Sequence, residues 1–261
     1  MPIVKLKRVW DYCSYNKPFF AFIAVLMFII GLISSYASDY LSLDWRMVVD
    51  WIISILLTGY GLSITRDRIN HGYRLPKIIP KDVLLFGIKG SIVYTVYIAG
   101  QIFILYFIAL FFGFPLFNLE EMLLDFNGTL HLFYAHNPIY TVIFFIVSAS
   151  AFYFTSFFSE MGLAKLADTK KLSMAFNFES IYKSIELFGW VHYVRDLTSI
   201  IVAIVILTYI QSRLPQLFGI EFILWMILGV LIFSTQYLGI GSLYCNIKDN
   251  ELKINAEINV K

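Results

Sequence analysis

Six apolar stretches, each of about 20 residues and separated by short polar segments, dominate this sequence. A helix needs about 20 mostly apolar residues to cross a hydrocarbon core of about 30 Å at about 1.5 Å rise per residue. The stretches fall at about 19–36, 47–64, 91–112, 139–158, 197–214 and 222–243. Composition supports reading them as membrane spans: 59% of the 261 residues are hydrophobic and only 15% are charged, against roughly a quarter charged in ordinary soluble chains. A soluble protein of this size has too little interior to hide that much apolar surface. The expected fold is therefore all-α, a polytopic transmembrane helical bundle forming a single integral membrane domain over residues 1–261.

The first stretch follows a basic start (Lys5, Lys7, Arg8) and ends in Ser35-Tyr36-Ala37, which is also the outline of a cleaved signal peptide. The long leading region with Trp10, Asp11 and Tyr15, and the membrane character of the rest, make a retained helix the simpler reading.

Orientation follows from Lys and Arg in the short loops, because positive charge resists translocation. With the N-terminus inside, all of the 20 basic residues except Arg46 and Arg213 lie in inside segments. The outer loops carry Asp39, Asp44, Glu120, Glu121, Asp125 and Glu221. Six spans with both termini cytoplasmic, in the cytoplasmic membrane, satisfy this alternation.

Two cytoplasmic connectors, 65–90 and 159–196, are more than turns. The first carries Arg66, Arg68, Arg74, Lys77 and Lys81, with Gly59, Gly61 and Gly87 placed for close helix contact, Gly72 for a turn and Pro76 and Pro80 for a stop and a restart. The second carries Lys170, Lys171 and Lys183. In it Phe178, Ile181, Ile185 and Phe188 recur at helical spacing, with Glu179, Lys183, Ser184 and Glu186 on the other side and Asn177 as a suitable N-cap. Such an amphipathic helix either lies in the membrane interface or packs on the bundle. Leu85-Phe86-Gly87 and Leu187-Phe188-Gly189 recur in the two connectors, which is compatible with a parallel internal repeat.

Gly59-Tyr60-Gly61-Leu62, a basic segment, Gly72, Leu75-Pro76 and Gly87-Ile88-Lys89-Gly90 together resemble an uncharacterised domain-of-unknown-function family of multi-pass membrane proteins, mainly archaeal. Leu163-Ala164-Lys165-Leu166-Ala167, then Ala175-Phe176-Asn177-Phe178 and Ile181, looks like that family's second cytoplasmic signature. The chain departs from the family pattern after Pro76: Lys77-Ile78-Ile79-Pro80-Lys81-Asp82 stands where an acidic and aromatic run is expected. The resemblance implies a membrane fold and no particular activity.

No HExxH, GxSxG, P-loop, GxGxxG or paired Cys-His spacing is present, so no cofactor and no metal is implied. Cys13 and Cys245 lie far apart, with no CxxC and no neighbouring His in the sequence, and read as ordinary thiols. The acidic and histidine residues of the outer loop (Glu120, Glu121, Asp125, His131, His136) match no defined metal spacing, and Asn127-Gly128-Thr129 fits a glycosylation acceptor. Charges near the spans, Asp50, Glu160, Arg195 and Asp196, all lie near an interface, while Gln101, Thr141, Thr155 and Gln236 read as interhelical hydrogen-bond partners.

Three functions compete. The first is a non-catalytic module whose basic connectors bind anionic lipid headgroups or a protein partner; membrane lipids are the expected partner, a homo-oligomer is also open, and no nucleic-acid partner is expected, while the net charge of +2 by itself says little about partners. A transporter or channel for a small or lipid-like solute is the alternative. A membrane enzyme using Glu160, Glu179, Arg195 and Asp196 is the third.

Overall fold

The computed structural model describes residues 6–15, 17–36, 43–111, 138–214 and 220–259. The elements among them are all helices: α1 (Leu6–Ser14), α2 (Lys17–Tyr36), α3 (Leu43–Ile69), α4 (Pro80–Phe111), α5 (Pro138–Thr169), α6 (Leu172–Ala175), α7 (Phe178–Phe188), α8 (Trp190–Ser212) and α9 (Ile220–Asn259). Among the described residues α3, α4, α5, α8 and α9 are the five helices long and apolar enough to cross a membrane. The remaining expected span coincides with α2, a 20-residue helix whose described apolar run is Phe20–Ile29. The outer-loop residues 120–136, including the glycosylation pattern, lie outside the described residues.

The helices outrun the hydrophobic limits read from sequence. α3 continues through Arg66 and Arg68 to Ile69, and α5 continues to Thr169, because the polar residues beyond each apolar run are acceptable helix formers. Each helix stops at a residue with left-handed backbone, His71 at φ 59° and Lys170 at φ 59°. α4 restarts at Pro80 and α5 at Pro138, where proline's missing N–H and fixed φ suit a first turn. At 40 residues α9 is about 60 Å long, about twice the hydrocarbon thickness, so it extends beyond the membrane.

The chain divides into two compact units, Met1–Val93 with Glu160–Lys261, and Tyr94–Ser159. In the first, α9 is the hub, packed by α1, α2, α3, α7 and α8. Its interior is dense: Tyr60, Leu62, Ile64, Leu166, Ile181, Ile185, Tyr193 and Val230 are fully buried. α3 and α4 cross through Gly59 and Gly87, where an added Cβ would overlap the Val83 and Ile55 carbonyl oxygens respectively. Gly61 gives the same room to the Tyr237 ring of α9. These close backbone approaches are how membrane helices gain packing without a hydrophobic force between them.

The second unit contains the later part of α4 and the earlier part of α5. Val96, Ile102, Phe103, Phe107, Ile139, Ile146 and Phe154 are all exposed there. Apolar surface of that extent is stable against acyl chains and not against water. The protein is therefore a multi-pass, all-helical membrane protein.

The amphipathic segment is α7, and Asn177 caps it as expected, its Oδ1 accepting from Ser180 N at 2.9 Å. Ile181 and Ile185 of the predicted apolar face are buried and α7 packs on α9, while Phe178 of the same face is exposed. Ser184, read as belonging to the polar side, is buried. The reason is a lysine, described next. The two Leu-Phe-Gly triplets occupy unlike places: Gly87 is inside α4 at a helix crossing, whereas Gly189, at φ 95°, is the break between α7 and α8.

Candidate functional site

Both connectors, apart from Ser159, lie in the first unit, and each is fastened to the bundle by groups that are scattered in the sequence. After α3 the chain turns back on itself, with His71 N donating to Arg68 O at 3.0 Å and Gly72 N to Asp67 O at 2.8 Å. A side chain at Gly72 would overlap the Asp67 carboxylate and push it from its place, so glycine here leaves room for that side chain inside the turn. Tyr12 of α1 donates its hydroxyl to Asp67 Oδ2 at 2.8 Å. Burial, reinforced by the Asp67 charge, pushes the Tyr12 phenol well above its ordinary value. Burial also pushes the neighbouring Cys13 thiol up to about 11, so it is inert at neutral pH.

Arg68 belongs to this fastening. Its guanidinium donates to Ser242 Oγ of α9 at 3.0 Å and to Gly72 O at 3.3 Å. Further along, Tyr60 donates to Pro76 O at 3.0 Å, and Leu75 is buried, so Leu75-Pro76 is pinned to the bundle. Between and beyond these anchors the chain exposes Tyr73, Arg74, Lys77, Ile79 and Lys81, with the Arg74 guanidinium 5.8 Å from the Tyr73 ring centroid. Arg66 is half-buried.

In the second connector, Lys165 is only 4% exposed. Its ammonium donates to Ser180 O at 2.8 Å, Ser180 Oγ at 2.6 Å and Ser184 Oγ at 3.0 Å, which bolts α5 to α7. All three ammonium protons are thereby used, which is what makes burial of the charge tolerable. Beside it a groove of about 580 Å³ is lined by Asn177, Glu179, Lys183, Tyr244 and Glu251. On its rim Lys183 donates to Glu179 at 2.7 Å; that hydrogen bond and the opposite charge hold the Glu179 carboxyl below, and the Lys183 ammonium above, their usual ranges.

The connectors also touch each other. Lys170 lies 3.6 Å from Asp82 and over the Phe86 ring, and Lys89 donates to Lys170 O at 2.7 Å. The eight basic residues singled out from sequence therefore differ in kind. Arg68 is half-buried and bonded to Ser242, and Lys170 and Lys183 face local carboxylates. Arg74, Lys77, Lys81 and Lys171 are exposed and make no ion pair among the described residues.

Of the four residues considered for an enzyme, Arg195 pairs with the buried Asp196 at 2.9 Å and Glu179 with Lys183. Glu160 turns one oxygen, Oε2, into the interior without a hydrogen-bond partner. Glu179 and Glu160 line separate pockets, the first beside Lys165 and the second beside Tyr193 and Tyr244. Gln101 and Thr155, expected as interhelical partners, bond at 2.7 Å. Sequence reasoning missed one juxtaposition altogether: His71, exposed in the turn after α3, stands 3.5 Å from the buried thiol of Cys245 on α9.

Comparison with curated proteins and with solved structures finds no match. The expected signatures on the two connectors, from Gly59 to Ile181, fall inside residues 47–216, which match the model of a family described as protein of unknown function (DUF4013). That match spans more than half of the sequence and takes in α4 to α8 and nearly all of α3, so the chain belongs to the DUF4013 family.

Proposed function

We propose that this protein is a membrane module whose connectors, at the cytoplasmic face of the cell membrane, bind anionic lipid headgroups. The observation that carries this reading is the exposed run from Tyr73 to Lys81, in which Arg74, Lys77 and Lys81 alternate with exposed Tyr73 and Ile79 on a segment pinned by Tyr60 and Leu75. Aromatic and aliphatic side chains at the interface, with long basic side chains reaching headgroup phosphates beside them, form the arrangement expected of a lipid-facing edge. The orientation that keeps these residues cytoplasmic also places them at the more anionic leaflet. Exposed Phe178, Tyr182 and Leu187 on α7 and Val191 at the start of α8 extend the same kind of surface along the second connector.

Native mass spectrometry of the detergent-purified full chain, titrated with phosphatidylglycerol or phosphatidylcholine, tests this directly. Each basic residue contributes about 1 kcal/mol near an anionic surface. Replacing Arg74, Lys77 and Lys81 together with Gln should therefore weaken retention of the anionic lipid roughly tenfold to a hundredfold and leave the zwitterionic lipid unchanged. Equal retention of both lipids by the parent protein would refute the proposal.

A further inference from the structure

Cys245 and Asp249 stand four residues apart on α9 and so share one face of the helix. The turn after α3 brings His71 against them. Cys245 Sγ lies 3.5 Å from His71 Nδ1 and 3.9 Å from Asp249 Oδ2, and His71 Nε2 lies 3.7 Å from Asp249 Oδ1. One ligand atom from each of the three lies within 4.8 Å of the others. We propose that His71, Cys245 and Asp249 form a binding site for a divalent transition-metal ion of the zinc type.

Geometry supports this first. Zinc bonds of about 2.3 Å to sulfur and about 2.0–2.2 Å to nitrogen and oxygen give, for one sulfur, one nitrogen and one oxygen, a tetrahedron whose edges are about 3.3–3.7 Å. The three shortest approaches use both nitrogens of His71 and both oxygens of Asp249; with one donor atom from each residue the donors lie within 4.8 Å of one another, so side-chain rotation has to draw them in by about 1 Å to reach such edges. His71 turns one ring nitrogen to each neighbour, Nδ1 to the thiol and Nε2 to the carboxylate, and the Asp249 carboxylate also lies 3.9 Å from the Cys245 sulfur. Rotation of the exposed His71 ring turns a single nitrogen toward the other two donors.

The donor set then selects the metal. One sulfur, one imidazole nitrogen and one carboxylate oxygen suit zinc and its neighbours, and disfavour magnesium and calcium, which take oxygen ligands. Three protein ligands leave a fourth position for water or an outside ligand.

The support for the site is already built. Arg68 joins the Gly72 carbonyl to Ser242, one helical turn before Cys245, and so holds the turn that carries His71 onto α9. The nearby cation Lys248 is occupied by Asp168 at 2.9 Å, which reduces its repulsion of a metal ion. The His71 and Asp249 side chains are 68% and 44% exposed while Cys245 is buried, so an ion has an entry path to a thiol that lies underneath.

The test uses the full chain, purified without a histidine tag, stripped by chelator and titrated with Co²⁺. One equivalent should bind, with a near-ultraviolet sulfur-to-cobalt band and visible bands of tetrahedral intensity, and Zn²⁺ should displace it. Cys245→Ser should abolish the near-ultraviolet band. Asp249→Asn and His71→Ala should each weaken binding about tenfold or more, and Cys13→Ser should change nothing. A second measurement needs no variant: Zn²⁺ should slow alkylation of Cys245 in the parent at least tenfold, read by peptide mass spectrometry. Absence of saturable Co²⁺ binding, or a cobalt spectrum unaltered by Cys245→Ser, or no Zn²⁺ protection of Cys245, would overturn the assignment.

Discussion

The two compact units solve the same problem with different materials. In the unit formed by Met1–Val93 and Glu160–Lys261 the protein supplies its own interior, with glycine crossings, fully buried Tyr60 and Tyr193, and polar bolts such as Lys165 to Ser180 and Thr65 to the Tyr237 carbonyl at 3.0 Å. In Tyr94–Ser159 most large apolar side chains are exposed and the lipid supplies the environment. The lesson concerns where residue identity matters. Against lipid, one aliphatic or aromatic side chain serves nearly as well as another; in the packed unit, particular atoms meet particular partners.

The largest expected effect is therefore at the crossing of α3 and α4. In Gly59→Val the new Cβ meets the Val83 carbonyl oxygen, a backbone atom that cannot swing aside, so the helices must separate. Overpacking of this kind costs about 3 kcal/mol or more where backbone has to move. The variant should lose monodispersity on size-exclusion chromatography in detergent and melt far below the parent. A parent-like melting temperature would show that the crossing is loose and the contrast between the units overstated.

Second in size is the Lys165 bolt. Lys165→Met keeps the length of the side chain but leaves Ser180 and Ser184 without their donor, a loss on the order of 1–3 kcal/mol. Hydrogen exchange across α7 should rise selectively, with the rest of the first unit less affected. Lys183→Met, on the same helix but in an exposed pair, should leave that exchange unchanged. The difference separates a structural lysine from a surface one.

These lysines also show how far the sequence could be read. The spans were legible because hydrophobic length is a local property, and so were the Asn177 cap and the burial of Ile181 and Ile185, which depend on spacing within one helix. Lys165 was legible as a charge that sets orientation and as part of a family signature but not as a buried bolt, because its partners became neighbours when α7 folded back against α5. Ser184 was placed on the polar side by spacing and is buried for the same reason. His71 and Cys245 are 174 positions apart, and a metal-ligand pattern confined to short spacings does not register them. Arg68, grouped with the exposed basic residues by charge, is half-buried and tied to the bundle because Ser242 arrives from α9.

Third, Tyr12→Phe removes the hydroxyl that satisfies Asp67 and should cost about 1–2 kcal/mol at neutral pH. The same substitution has a signature at high pH. The Tyr12 phenol is raised in the folded protein, so its stabilising contribution is complete below its ordinary value near 10 and declines above it, as the unfolded chain ionises and the folded one does not. The gap in stability between parent and Tyr12→Phe should therefore narrow in melts above about pH 10. A gap independent of pH would mean the hydroxyl is not held in its neutral form.

The smallest effects should come from Tyr94–Ser159, where the same kinds of substitution meet lipid-facing surroundings. Gly100 lies in α4 like Gly87, but nothing stands within 4 Å of a Cβ built there. Gly100→Ala should be neutral or stabilising by up to about 1 kcal/mol, since alanine loses less backbone freedom in a helix. Gln101, buried and bonded to Thr155 at 2.7 Å, is this unit's counterpart of the Lys165 bolt. An interhelical hydrogen bond in a membrane averages about 0.6 kcal/mol, because the separated helices also find polar partners. Gln101→Leu should therefore lower stability by less than about 1 kcal/mol in steric-trapping or thermal measurements, and Gln101→Leu with Thr155→Val no more than the single change. A loss approaching that of Lys165→Met would mean that the α4–α5 contact depends on a specific polar interior, and that lipid is not the main solvent of this part of the chain.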